Sequence, residues 1–408
     1  MKKSWKSNYA AILIAETLAI MGFALSMPVI PLFLKEDLGI VEPELKIWVG
    51  VIQSLAAVSL AIFAPIWGHF ADIYSRRLML LRAMFGGAVI VSLMVFVQSP
   101  WQLLVLRTIQ GCFTGTVAAA TVLTAGIAPP AQIALALGLL QTGVAVGNSL
   151  GPLVGGLLSD FLGHRIAFLS TGIALAAAGF IVLKWVEDDS MPRSRIKQKG
   201  LHFFPDVKPI LNSPVLITLM MVTFTIQAAN TIAGPMLPLF LGELLHDAGE
   251  TSRFLGSSTG IVLGAGAGAT ALAAFLVGKY CTRFGYWKTL IFCLAAGALL
   301  TVPQTFVSNM VQLTIFRALA SFFIGGAAPV LNAIIAVSTE KEHQGSVYGI
   351  NSSISSTGGA LGPVIGSAIA LFNYRSVFLG TAALLGFAAL QTWRSRRNAQ
   401  NAHREIKT

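Results

Sequence analysis

The stretch Gly147-Asn148-Ser149-Leu150-Gly151-Pro152-Leu153-Val154-Gly155-Gly156 decides how the rest of the chain is read. It lies inside an apolar run from about Ile133 to Phe161, longer than the roughly 20 residues a helix needs to cross a bilayer. At a spacing of four, Gly147, Gly151 and Gly155 share one helical face and let another helix come close. Pro152 removes a backbone donor and writes in a bend, which a span tolerates where neighbours or a water-lined cavity satisfy the freed carbonyl. The device recurs as Gly358-Gly359-Ala360-Leu361-Gly362-Pro363-Val364-Ile365-Gly366. Two kinked, glycine-faced helices in matching places predict two halves moving against each other.

The composition agrees. Of 408 residues, 55% are hydrophobic and 11% charged, and the mean hydropathy is +0.75; soluble domains carry about 25% charged residues. A soluble globule is excluded. Twelve apolar runs lie near Tyr9–Leu34, Ile47–Phe70, Leu78–Val97, Trp101–Ala128, Ile133–Phe161, Ile166–Val186, Val215–Leu241, Phe254–Tyr280, Leu290–Phe306, Met310–Val337, Ser346–Phe372 and Ser376–Trp393. The expected fold is an all-α integral membrane protein of twelve transmembrane helices in two six-helix pseudo-symmetric bundles. The N-terminal bundle takes residues 1–186, a cytoplasmic linker 187–213, the C-terminal bundle 214–393 and a cytoplasmic tail 394–408.

The net charge of +11 is explained by topology. Lys and Arg collect in alternate loops, among them Arg76, Arg77, Arg193, Arg195, Lys197, Lys199, Arg394, Arg396 and Arg397. The opposite side has only Lys35, Lys46, Arg165, Arg253 and Arg375. By the positive-inside rule both termini are cytoplasmic. With no aromatic-interleaved basic patch, nucleic acid is not an expected partner. Cys112, Cys281 and Cys293 imply no disulfide framework. The segment Met1-Lys2-Lys3 and the run after it read as an uncleaved first span, because that run is long and lacks a small-residue cleavage site.

The chain repeats itself. Pro28 and Pro31 are answered by Pro235 and Pro238, 207 residues on; Gly68 by Gly278 and Arg107 by Arg317, 210 on; Pro152 by Pro363, 211 on. A near-constant offset means duplication: six spans plus six, a parallel repeat about an axis along the membrane normal.

These motifs resemble the major facilitator superfamily, and within it the twelve-span drug:proton antiporters of bacteria, over nearly the whole chain. Gly68-x-x-x-Asp72-x-x-x-Arg76-Arg77 is similar to the family signature between spans two and three, with Ser75 in place of its usual glycine. Leu103-x-x-x-Arg107-x-x-Gln110-Gly111 is similar to the fourth-span motif. Gly147-x-x-x-Gly151-Pro152-x-x-Gly155-Gly156 is similar to the fifth-span motif associated with antiporters, the most specific of the matches. Thr282 replaces the acidic residue in the second copy of the loop signature.

The resemblance implies alternating access in a bacterial cytoplasmic membrane, by a monomer whose partners are a small-molecule substrate, protons and the bilayer. Asp72, Arg76 and Arg77, with Gly68, are expected to form a gate, and Gly147, Gly151, Pro152 and Gly155 a moving seam. The architecture further implies that Gly256, Gly260, Gly264 and Gly268 of the eighth span receive the Gly147 face.

Energy must come from a gradient, since no Gly-x4-Gly-Lys-Ser/Thr phosphate loop is present; no cofactor is expected. Glu16 is the one acidic residue well inside a span. Glu16, Ile20, Phe23 and Met27 fall at i, i+4, i+7 and i+11 of the first helix, and Thr223, Gln227, Asn230 and Gly234 answer them 207 residues later. These two faces are expected to confront each other across a cavity. Desolvation there favours the neutral acid, so Glu16 exchanges a proton for cationic cargo; a carboxylate that merely caps a neighbour is the alternative. Arg107 lies about 9 Å into the fourth span; the resemblance implies that it tunes proton release or gating, and satisfying carbonyls at a helix break is the alternative.

Phe23, Phe224, Phe240 and Tyr348 offer aromatic surface to a lipophilic cation. Gln141, Gln227, Asn230 and Asn332 offer hydrogen bonds, which a sugar or metabolite exporter would want in greater number. A non-transporting sensor is disfavoured by the lack of an added domain. Gly147-Asn148-Ser149-Leu150-Gly151 also fits the Gly-x-Ser-x-Gly nucleophile elbow, but it follows no strand and every histidine lies in a loop or at a span end. An enzyme is not expected.

Overall fold

A computed structural model describes residues 5–73, 75–129, 132–187, 208–211, 213–247, 254–339 and 343–405. Among them the regular structure is entirely helical. The helices are α1 Trp5–Leu25, α2 Val29–Glu36, α3 Glu44–Ile73, α4 Arg76–Leu93, α5 Pro100–Phe113, α6 Thr116–Ile127, α7 Ile133–Leu162 and α8 His164–Trp185. Then come α9 Lys208–Leu211, α10 Pro214–Ile232, α11 Leu237–Asp247, α12 Leu255–Phe284, α13 Tyr286–Thr301, α14 Met310–Val337, α15 Gln344–Ala370 and α16 Ser376–Glu405. Most of the expected linker, 187–213, lies outside the described residues.

Eleven of these spans are long and apolar enough to cross a membrane. The twelfth is α15. It has the length, at 27 residues, but Asn351, Ser352, Ser353, Ser355, Ser356 and Thr357 make it too polar to register by hydropathy. The twelfth span also differs from the expectation: α16 runs past Trp393 to Glu405, because its charged continuation keeps helical geometry beyond the apolar stretch.

Proline and glycine set the breaks. The first span is split because Pro28 has no N–H: the Ala24 carbonyl takes Met27 N instead at 3.0 Å, and α2 starts afresh at Val29. The seventh span is likewise split around Pro235, with α10 ending at Ile232, α11 starting at Leu237, and Ala233 O receiving Met236 N at 3.2 Å. The fourth span is split between α5 and α6 by Thr114, extended, and Gly115, whose φ of +118° a side chain would strain. By contrast α7 runs through Pro152, α14 through Pro329 and α15 through Pro363 as continuous helices.

Two compact units result. One takes residues up to Leu201 with Glu250–Gly264, the other His202–Gly249 with Ala265–Thr408. In the first, α1 packs on α7, α8 and α6, α4 on α8, and α3 on α5. In the second, α10 packs on α15 and α16, and α13 on α14 and α16.

The duplication persists side chain by side chain. Arg165 lies over the Phe33 ring at 5.3 Å and bonds Val95 O. Arg375, 210 residues on, lies over Phe240 at 5.8 Å and bonds Thr305 O at 2.9 Å. Phe33 meets Phe168 edge to face at 5.2 Å, and Phe240 meets Phe378 at 5.1 Å. Phe240 is thereby 2% exposed, so it is a core residue of its unit, not aromatic surface for cargo as its sequence position suggested.

The glycine seam is corrected too. A Cβ at Gly147 would lie 2.9 Å from Met21 N, one at Gly151 2.6 Å from Met21 O, and one at Gly155 would strike Leu25 O. That face therefore docks on α1. The α12 glycines meet the neighbouring face of α7: Gly256 against Gly156, Gly260 against Pro152 and Leu153, and Gly264 against Ser149. Each helical residue turns about 100°, so a stripe one or two positions on from 147, 151 and 155 addresses a different helix. Ser149 Oγ donates to Gly264 O at 2.9 Å. At the end of α7, Asp160 caps α12, accepting from Gly256 N at 2.8 Å and Ser257 N at 2.6 Å.

Candidate functional site

Glu16 sits midway along α1 and is fully buried inside the first unit. Its Oε1 accepts from Thr116 Oγ1 at 2.9 Å. Its Oε2 is buried with no hydrogen-bond partner. Thr116 is the first residue of α6, so the helix break at Thr114 and Gly115 places this hydroxyl, at the start of α6, against the carboxyl.

Arg107, on α5, does not join Glu16. Its Nη1 donates to Gln110 Oε1 at 2.9 Å and its Nη2 to Ser26 Oγ at 3.2 Å, while Nε is buried without a partner. Ser26 in turn donates to Phe23 O at 2.9 Å. Arg107 thus secures the turn between α1 and α2, ten residues or about 15 Å along the first span from Glu16.

The remaining expected cavity residues divide by burial. Ile20 is 9% exposed and reaches to 3.0 Å of where a Gly147 Cβ would be, so it packs towards α7. Phe23 points at α4, with its ring 3.2 Å from a Cβ position at Gly87. Met27, Phe224 and Gln227 are half-buried, and Gln141, Asn230 and Asn332 exposed on their own units. Asn230 Nδ2 lies 3.4 Å from Gln227 Oε1, and Tyr348, also exposed, donates to Asn332 O at 2.9 Å. Thr223, the counterpart of Glu16, is buried and pairs with Asn351 Oδ1 at 2.6 Å. Arg317 is half-buried on α14, with its Cγ 3.6 Å from a Cβ position at Gly266.

Of the expected gate residues, Gly68 and Asp72 have surroundings outside the described residues, as does Thr282. Arg76 Nη1 donates to Val122 O at 3.4 Å, and Arg77 Nη2 to Leu183 O. Both thus address carbonyls in the later turns of α6 and α8, where cations are favourable. Ser75, the departure from the family pattern, caps α4 by accepting from Leu78 N at 3.1 Å. Nearby, Arg82 stacks 3.6 Å above the Trp67 ring, whose Nε1 donates to Cys112 O at 2.6 Å.

Residues 12–249 and 219–407 match the family model described as Major Facilitator Superfamily. The chain belongs to that superfamily. It is 34% identical over 396 residues, 97% of its length and 95% of the relative's, to the multidrug resistance protein MdtG of Escherichia coli O9:H4 (strain HS). The nucleoside transporter NupG has the same fold, with a TM-score of 0.79 at 13% identity over 95% of this chain and 98% of that one. So has a bacterial homologue of the human lysosomal transporter Spinster, at 0.77 and 15% over 97% and 98%. The protein is therefore a multi-pass membrane transporter of the secondary class, not an enzyme.

Sequence reasoning missed Thr116, Ser26, Asn351 and Asp160. Thr116 had a signal: the Thr-Gly-Thr run at 114–116 interrupts an apolar span. Asn351 was one polar residue among many in its helix, and only packing on α10 singles it out.

Proposed function

We propose that the protein is a proton-coupled antiporter that exports lipophilic, cationic drugs by alternating access across a bacterial cytoplasmic membrane, with both termini inside. The observation that carries this is Glu16: a fully buried carboxyl on an apolar span, held by one neutral hydroxyl. A carboxylate kept this dry costs several kcal/mol, so it serves as a group that gives up its proton when the site opens to water or cargo. Glu16 binds a proton or its charge meets a cation, not both at once, and that competition couples the two fluxes. Similarity to the multidrug resistance proteins supports the cargo class.

The test uses inverted membrane vesicles with an imposed proton gradient. A lipophilic cation should collapse part of the gradient in wild type and leave it unchanged in Glu16→Gln. A sugar or nucleoside doing so instead would select the metabolite-exporter reading; a cation response preserved in Glu16→Gln would remove Glu16 from the mechanism.

A further inference from the structure

Glu16 needs something to hold its charge once the proton has left, and Arg107 is too far along the span to do it. The elements packed on α1 are chiefly α6, α7 and α8; Phe23 also reaches Gly87 of α4, whose Arg76, Arg77 and Arg82 are engaged with Val122 O, Leu183 O and the Trp67 ring. α6 carries no charged side chain; α7 has only Asp160; α8 has His164, Arg165 and Lys184, at its ends. His164 and Arg165 are engaged with Asp37, at 2.6 and 3.5 Å, and Lys6, on α1 itself, is exposed ten residues away. What does face the carboxyl is the start of α6, a helix of 12 residues.

Its first intrahelical hydrogen bond runs from Ala119 N to Gly115 O at 3.3 Å. The N–H groups of Thr116, Val117 and Ala118 come before that bond and carry the positive end of the helix dipole. The duplication supplies a control. In the second unit α14 is continuous, Gly326 stands where Thr116 would, and Thr223 stands where Glu16 would. Acid, hydroxyl and broken helix occur together in one unit and are all missing from the other.

We propose that Thr116, presented by the α5–α6 break, is the positioning residue that holds the Glu16 carboxylate and sets the pH at which it releases its proton. This rests on the proton-coupled reading above. Without the hydroxyl the charged form loses its hydrogen bond, proton release becomes harder, and the transport profile moves to higher pH.

The experiment measures cation-driven proton flux against pH for the full-length protein in proteoliposomes. Thr116→Val should move the midpoint up by about one pH unit, the tenfold change in proton affinity that one hydrogen bond to a charged group supports. Thr116→Ser, which keeps the hydroxyl, should leave it in place. An unmoved midpoint in Thr116→Val, or an equal shift in Thr116→Ser, overturns the assignment. Should Thr116→Val not insert, the pH titration of the infrared carboxyl band that Glu16→Gln abolishes is read in Thr116→Cys: a shift supports the proposal and no shift overturns it. Glu16→Gln separates the two readings. If it still exchanges cation for proton, the transport reading fails; if it stops while Thr116→Val titrates as wild type, only the role of Thr116 fails.

Discussion

The two units share a plan and differ at one buried position, a carboxyl in the first and a hydroxyl in the second. Both carry an arginine over a phenylalanine beside a T-shaped aromatic pair, a proline-broken opening span, and a glycine-faced helix seated on that span. Yet the first unit buries Glu16 against the broken fourth span, whereas the second buries Thr223 against Asn351 and leaves its tenth span continuous. Duplication provided two scaffolds; at this position one carries a carboxyl and the other a neutral hydrogen bond. The difference teaches that symmetry here governs packing, while the buried carboxyl on which the proposed proton coupling rests lies in one half.

The largest effect that tests this asymmetry is on transport. Glu16→Gln should reduce cation-driven proton flux to background, whereas Thr223→Val, losing one buried neutral hydrogen bond, should cost no more than about tenfold. Equal losses in the vesicle assay would break the comparison. The shared packing is tested next. Gly155→Val and Gly366→Val drive a side chain into the backbone carbonyls of Leu25 and Ile232, so each should lower stability by about 3 kcal/mol. Gly138→Ala and Gly359→Ala, with nothing within 4 Å of the added methyl, should leave detergent-solubilised thermal unfolding unchanged or slightly improved.

Smaller effects sharpen the features found in the first unit alone. Gly115→Ala puts a side chain at a φ of +118° and should cost about 1–2 kcal/mol, seen as a lowered unfolding midpoint. Asp160→Ala removes the cap of α12, a contact with no counterpart because Leu371 occupies the equivalent place. Its expected cost is about 1 kcal/mol, with hydrogen exchange accelerated in the first turn of α12.

Composition, span boundaries and the 207- to 211-residue offsets determined the membrane class, the helical fold and the repeat, because bilayer thickness and the missing proline donor act locally along the chain. The one carboxylate inside a span was equally legible. What only the tertiary structure decided was the partner of each of these groups. Gly147, Gly151 and Gly155 could not declare that they face α1, since a close-approach stripe is the same for any neighbour. Phe240 could not declare that it faces Phe378, and Glu16 could not declare Thr116, 100 residues away. Periodicity fixes which residues share a face; which helix fills that face is settled by packing among all the spans at once.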